Sequence, residues 1–121
     1  MGAMASPKTN PNFMNGVPEL LILRLLEERE MYGYEIVASI RARTEDTISL
    51  GEGVVYPVLH ALERDGALKS RRKPVNGRTR VYYTVTRSGE TRLAALVRQW
   101  MQITESVNQA IRETRHATVR L

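Results

Sequence analysis

The dipeptide Asn76-Gly77, set between two runs of strand-forming residues, is the strongest single constraint on how this chain folds. Asn-Gly favours a tight hairpin turn because both positions tolerate positive φ. The flanking segments, Ala67 to Lys73 and Arg80 to Val85, read as two strands joined by Pro74-Val75-Asn76-Gly77-Arg78-Thr79. Val81, Tyr83 and Val85 alternate as one buried face. With helical patterns on both sides of this hairpin, the 121-residue chain is expected to be α+β, mainly α.

Three helices are predicted before the hairpin. The first runs from Pro18 to about Glu28, with Pro18 suited to the first helical position and Glu19 to the positive helix end. Its Leu20, Leu21, Ile22, Leu23, Leu25 and Leu26 cover more than one face, so burial on two sides is expected. The polar run Glu27 to Glu30 stops it. The second spans about Gly33 to Arg43, with Ile36, Val37 and Ile40 inward. Thr44 to Leu50 reads as a polar connection, and the third helix follows from about Glu52 to Asp65, closed by Gly66.

In the third helix Val55, Val58, Leu59 and Leu62 fall within about 100° of arc, which marks the core face. Gly53, Tyr56, Pro57, His60 and Arg64 lie on the other side. Small, aromatic and cationic groups together suit close approach to a groove lined with phosphates. A half-buried packing tyrosine and a surface histidine are the plainer reading of Tyr56 and His60. Pro57 cannot bond the carbonyl of Gly53, and glycine at that position relieves the crowding; a helix-start proline is the alternative.

Charge supplies the context. Between Ala67 and Arg92 stand Lys69, Arg71, Arg72, Lys73, Arg78, Arg80, Arg87 and Arg92 against the single acid Glu90. The rest of the chain is slightly acidic, so the net charge of +5 is concentrated in this stretch. Such a strip is either a solvated face or the footprint of a polyanion. Three helices followed by a basic hairpin make a winged helix-turn-helix, in which the third helix enters the major groove and the hairpin reaches alongside. Duplex DNA is the simplest ligand that explains both the helix face and the hairpin.

The last helix starts near Thr86 or Ser88, either of which can cap it. Leu93, Leu96, Trp100, Ile103, Val107 and Ala110 recur at three and four spacing, and Val97, Thr104 and Ile111 widen the stripe. A stripe about 20 residues long exceeds what so small a domain covers, which predicts a coiled-coil-like homodimer helix. The expected organisation is a tail with a cloning remnant over 1–15, a winged domain over 16–87, the dimerisation helix over 88–112 and a frayed tail over 113–121. With no cysteine and two histidines, disulfides, thiol nucleophiles and histidine-rich metal sites are not expected. Neither a cofactor nor a membrane span is expected, since no run approaches roughly 18 apolar residues. Glu52 and His60 are too far apart on a helix for an acid–base pair, and no phosphate loop is present, so an enzyme is not expected.

Tyr32-Gly33-Tyr34-Glu35-Ile36, Gly51-Glu52-Gly53-Val54-Val55-Tyr56-Pro57-Val58-Leu59, Leu62-Glu63-Arg64-Asp65-Gly66 and Gly77 through Gly89 resemble the signature of the PadR family of bacterial transcription regulators. The resemblance covers roughly Glu19 to Ile111. The Tyr-Pro pair inside a helix, the Tyr82-Tyr83 strand and Thr86-x-x-Gly89 are highly specific in combination. The single C-terminal helix is similar to the family's short subgroup. The resemblance implies a cytoplasmic dimeric repressor of a palindromic operator. It implies DNA-facing roles for Glu52, Gly53, Val54, Tyr56, Pro57 and His60, and a wing of Asn76, Gly77, Arg78 and Arg80 with Lys73 close by. Tyr34 would reach a phosphate. Val54 stands where the family commonly has Thr or Ser, which removes a hydroxyl, and Thr79 replaces a residue that is often basic.

Trp100 has two readings. It fills a dimer core, or, as the resemblance to short drug-sensing members implies, it stacks on a small planar aromatic ligand between subunits, near Met101 or Ile103. Two other functions stay open on the residues alone: a winged-helix protein-interaction module and nonspecific nucleic-acid packaging. Protein interfaces deplete charge at their centre, and packaging lacks sequence preference.

Overall fold

The computed structural model describes residues 16–113, so the expectations for the two tails over 1–15 and 114–121 lie outside the described residues. The elements are α1 (Val17–Glu28), β1 (Met31–Tyr32), α2 (Gly33–Arg43), α3 (Glu52–Arg64), β2 (Leu68–Val75), β3 (Arg78–Val85) and α4 (Arg87–Arg112). The sheet is antiparallel in the order β1-β3-β2. This is a winged helix-turn-helix with a long C-terminal helix.

The core forms where the apolar stripes meet. Ile22, Leu23, Leu25 and Leu26 of α1, Ile36 and Ile40 of α2, and Val55, Leu59 and Leu62 of α3 are buried together with Met31, Leu68 and Tyr83 from the sheet. Leu20 and Leu21 pack against the same cluster, so α1 is covered on more than one side as expected. The segment read as a polar connection is not polar throughout: Leu50 is buried and Ile48 packs on the core. Thr44 makes this possible, since its hydroxyl donates to the Ile40 carbonyl and accepts from the Ile48 N–H at 3.0 Å. That side chain satisfies backbone groups that the turn would otherwise strand.

Strand β1 is absent from the sequence reading, which leaves Met31 and Tyr32 unassigned between the polar run Glu27 to Glu30 and α2. Met31 and Tyr32 instead pair with Tyr83 and Tyr82. Two residues carry no detectable period; the strand exists because β3 offers its free edge. The hairpin is also tighter than expected. Strand pairing continues through Val75 and Arg78, leaving Asn76 (φ 52°) and Gly77 (φ 78°) as a two-residue turn. Pro74 is tolerated inside β2 because β2 lies at the edge of the sheet.

Thr86 caps α4 by accepting from the Gly89 N–H at 3.1 Å, while its own hydroxyl donates to the Gly66 carbonyl at 2.7 Å. The assignment of the whole α4 stripe to a dimer seam needs correction. Leu93 is buried in the protomer's own core, and Leu96 and Val97 pack against that core. The first three turns of α4 are spent closing the domain. The exposed apolar stripe begins at Trp100 and continues through Ile103, Val107 and Ile111. Thr104 is half-buried, with its hydroxyl donating to the Trp100 carbonyl at 2.8 Å. Among the described residues no helix is long and apolar enough to cross a membrane.

A β-carbon on Gly89 would stand 2.2 Å from the Ala67 carbonyl oxygen and 2.6 Å from Val85 Cγ2. Gly89→Ala should therefore destabilise the fold by about 1–3 kcal/mol, the usual scale of overpacking. Urea unfolding measures this, and unchanged stability would show that α4 does not need so close an approach.

Candidate nucleic-acid interface

Helix α3 follows its N-cap Gly51 and presents Gly53, Pro57, His60 and Arg64 as one exposed ridge, at spacings of four, three and four. Glu52 and Val54 are exposed in its first turn. Pro57 lies well inside the helix, so the helix-start alternative falls. It leaves the Gly53 carbonyl without its intrahelical donor on an open face, where water or a ligand can supply one. A β-carbon at Gly53 would meet nothing within 4 Å, so the protein's own packing does not demand glycine there. Tyr34, in the first turn of α2, is 60% exposed.

Tyr56 corrects the expectation of an outward side chain. It is half-buried and packs on the core, with its hydroxyl end against Gly33 at the start of α2. Its ring lies 6.2 Å from that of His60. The phenol thus wedges between the two helices of the helix-turn-helix and fixes their separation, with only part of the ring left to face a ligand. Between α3 and the hairpin a cleft of about 320 Å³ opens, walled by Tyr32, Gly33, Tyr56, His60, Thr79, Arg80, Val81 and Tyr83. Burial, with the Glu63 carboxylate nearby, pushes the Tyr83 phenol pKa up, so that group stays neutral.

The hairpin's charges are sorted by strand register. Arg71 pairs with Tyr82, Lys73 with Arg80 and Val75 with Arg78, which places Arg71, Lys73, Arg78, Arg80 and Tyr82 on one face. Tyr32, paired with Tyr82, shares it. On this outer face the Arg80 guanidinium lies 4.4 Å from the Tyr32 ring centre, and the Lys73 ammonium 4.3 Å from that of Tyr82. The two tyrosine rings meet edge to face at 5.5 Å. These cation–π contacts brace the wing. The opposite face carries Val81 and Tyr83 into the core, with Arg72 exposed beyond it.

Not all of the basic strip is available. Glu30 accepts from Arg71 Nε and Nη2 at 3.1 Å each and from Lys73 Nζ at 2.7 Å. These hydrogen bonds, Arg71's first and then Lys73's, hold the Glu30 carboxyl below its ordinary range. Arg92 is turned away altogether, bonded to Glu19 and lying 3.4 Å from Asp65. Arg64 lies 3.7 Å from Asp65 in a loose exposed pair. Among the described residues Lys69, Arg72, Arg78, Arg80 and Arg87 make no ion pair, and Asn76, Gly77 and Arg78 are exposed at the wing tip. Glu30, Tyr32, Gly33 and Tyr82 were missed as site residues. Only the aromatic character of the Tyr82-Tyr83 pair hinted at one of them.

An exposed ridge on the third helix and a braced, cationic hairpin beside it define a winged-helix transcriptional regulator. The model of the transcriptional regulator PadR-like family matches residues 22–95 of this chain. Transcriptional regulator Rv3488 of Mycobacterium tuberculosis is 31% identical over 81 residues, 67% of this chain and 73% of the relative. A transcriptional regulator from Clostridium thermocellum superposes with a TM-score of 0.76 at 28% identity, covering 81% of this chain and 96% of that one. A PadR family transcriptional regulator from Eggerthella lenta gives 0.74 at 26% identity, covering 85% and 88%. The chain belongs to the PadR-like family, whose members are transcriptional regulators and not enzymes.

A β-carbon on Gly33 would stand 2.3 Å from the Tyr56 hydroxyl oxygen. Gly33→Ala should cost about 1–3 kcal/mol in the wild type and almost nothing in a Tyr56→Ala background. A double-mutant cycle by urea unfolding reads the coupling. Additive costs would remove the wedge between α2 and α3.

Proposed function

We propose that this regulator is a sequence-specific DNA-binding repressor that acts as a homodimer on a palindromic operator in the cytoplasm. The observation that carries the DNA reading is the ridge Gly53, Pro57, His60, Arg64, acid-free along its length, beside a wing whose Arg72 and Arg78 have no acidic partner among the described residues. In this reading the ridge enters the major groove with Glu52, Val54 and the open edge of Tyr56. Tyr34, Asn76, Gly77, Arg78 and Arg80 meet the sugar–phosphate backbone. Val54 brings a methyl contact where a hydroxyl is more usual in the family.

The dimer reading is supported by α4. Trp100, Ile103, Val107 and Ile111 are 43%, 54%, 49% and 72% exposed on one stripe, more apolar surface than an isolated helix leaves in water. Trp100 also lines a shallow apolar groove with Val17, Leu20, Leu96 and Ile103. That groove suits either the partner's side chains or a small planar aromatic effector whose binding alters the dimer and releases DNA.

Selection from random duplex DNA at physiological salt with competitor present tests the reading. Enrichment of a two-fold symmetric site with half-sites about 34–36 Å apart is expected. Binding without enrichment would indicate nonspecific packaging, and no binding would indicate a winged-helix protein-interaction module. Trp100→Asp should weaken self-association at least about a hundredfold, about 2.8 kcal/mol, by placing a carboxylate in the apolar seam. Analytical ultracentrifugation reads the mass, and an unchanged dimer would remove Trp100 from the interface.

A further inference from the structure

The wing's cations divide into a free set and a held pair, and the held pair is held by one residue from a distant part of the chain. Glu30 lies just before β1, at one edge of the sheet. Arg71 and Lys73 stand on β2, at the other. Their side chains reach Glu30 across the central strand, with the Lys73 ammonium passing over the Tyr82 ring. They therefore lie along the outer face of the sheet bonded to Glu30, whereas Arg78 on that face and Arg72 on the opposite one have no acidic partner among the described residues.

Folding stability accounts for only part of this arrangement. The half-buried Lys73–Glu30 pair, with Lys73 over the Tyr82 ring, braces the sheet, but the Arg71 side chain is 65% exposed, and an ion pair so open to water contributes little to stability. The sheet is already joined by eight register pairs between β2 and β3 and by the core contacts of Tyr83 and Leu68. What the carboxylate does change is the charge presented to a polyanion. It offers both cations the ligand that a phosphate would otherwise offer, a pair of anionic oxygens at hydrogen-bond distance.

We propose that Glu30 is a built-in competitor for phosphate, which withholds Arg71 and Lys73 from the DNA backbone and so caps the wing's sequence-independent affinity. The inference rests on the DNA-binding reading above. Removing the acid would free two cations, which the single carboxylate engages by hydrogen bonds while offsetting one of their two charges, to act as phosphate ligands. Each new phosphate contact releases condensed counterions and steepens the dependence of affinity on salt. The base-reading ridge of α3 is untouched by the change, so the effect belongs to binding of any duplex.

The test compares wild type with Glu30→Gln on a duplex of arbitrary sequence, titrated across a range of salt, with circular dichroism confirming the fold of each. For the variant the slope of log affinity against log salt should steepen by up to about 1.8, or about 0.9 for each of two phosphates. Its affinity should then fall about twelve times further than that of the wild type between about 50 and about 200 mM salt. A second comparison keeps Glu30 and replaces both cations. Arg71→Gln with Lys73→Gln should leave the wild-type slope nearly unchanged, yet abolish the extra slope in the Glu30→Gln background. Binding by both proteins with equal slopes overturns the proposal alone. A large slope loss from the double replacement in the presence of Glu30 does the same, because the cations would then already serve phosphate. Failure of folded wild type and variant to bind any duplex overturns it together with the DNA reading. If Glu30→Gln does not fold, the double replacement with Glu30 in place still decides between held and phosphate-bound cations.

Discussion

The first turn of α4 rests on the carbonyl of Ala67, with Gly89 in contact and Thr86 bonded to both the Gly89 N–H and the Gly66 carbonyl. At this point the end of α3, the base of the wing and the start of α4 meet. Only glycine allows the helix so near a backbone oxygen, and the threonine hydroxyl satisfies a group on each side of the junction. The motif Thr86-x-x-Gly89 is thus the joint that transmits the direction of α4 to α3 and the hairpin. Because Leu93 sits one turn further on in the core, the helix cannot pivot without disturbing the domain. Any rearrangement along the exposed part of α4 would reach α3 and the hairpin through this junction.

A second junction sets the spacing inside the helix-turn-helix. Tyr56 points back from α3 onto Gly33, and the same loop that begins α2 supplies Tyr32 to the outer face of the sheet and Glu35 to the Tyr32 N–H. Residues 30 to 35 therefore touch α3 on one side and the wing on the other. Electrostatics follows this layout. The basic strip looks uniform along the chain, but in space Arg92 serves the α1–α4 contact, Arg71 and Lys73 share Glu30, and Arg72, Arg78 and Arg80 have no acidic partner among the described residues. The open positive charge is smaller and more localised than the count of basic residues implies.

Much of this was legible from local pattern. The three-helix order, the core face of α3, the hairpin at Asn76-Gly77 and the capped start of α4 all rest on periodicity or on backbone preferences that a few neighbouring residues determine. The ridge Gly53, Pro57, His60, Arg64 was readable by angle for the same reason. What escaped has long-range causes. Strand β1 is two residues whose only partner is fifty positions away. The burial of Leu50 depends on Thr44 folding the connection back, and the half-burial of Tyr56 on a glycine twenty-three positions earlier.

The sequence by itself determined the elements, their order and the family to which the chain belongs, because these follow from short-range periodicity and turn chemistry and from motifs whose residues are close together. Only the tertiary structure decided which of those residues are free to act. It assigned Leu93 to the domain and left Trp100, Ile103, Val107 and Ile111 exposed, since burial depends on how far the domain extends along the helix. It also took Arg71, Lys73 and Arg92 out of the open charge, since an ion pair depends on distance in space, and Glu30 and Glu19 lie 41 and 73 positions from Arg71 and Arg92.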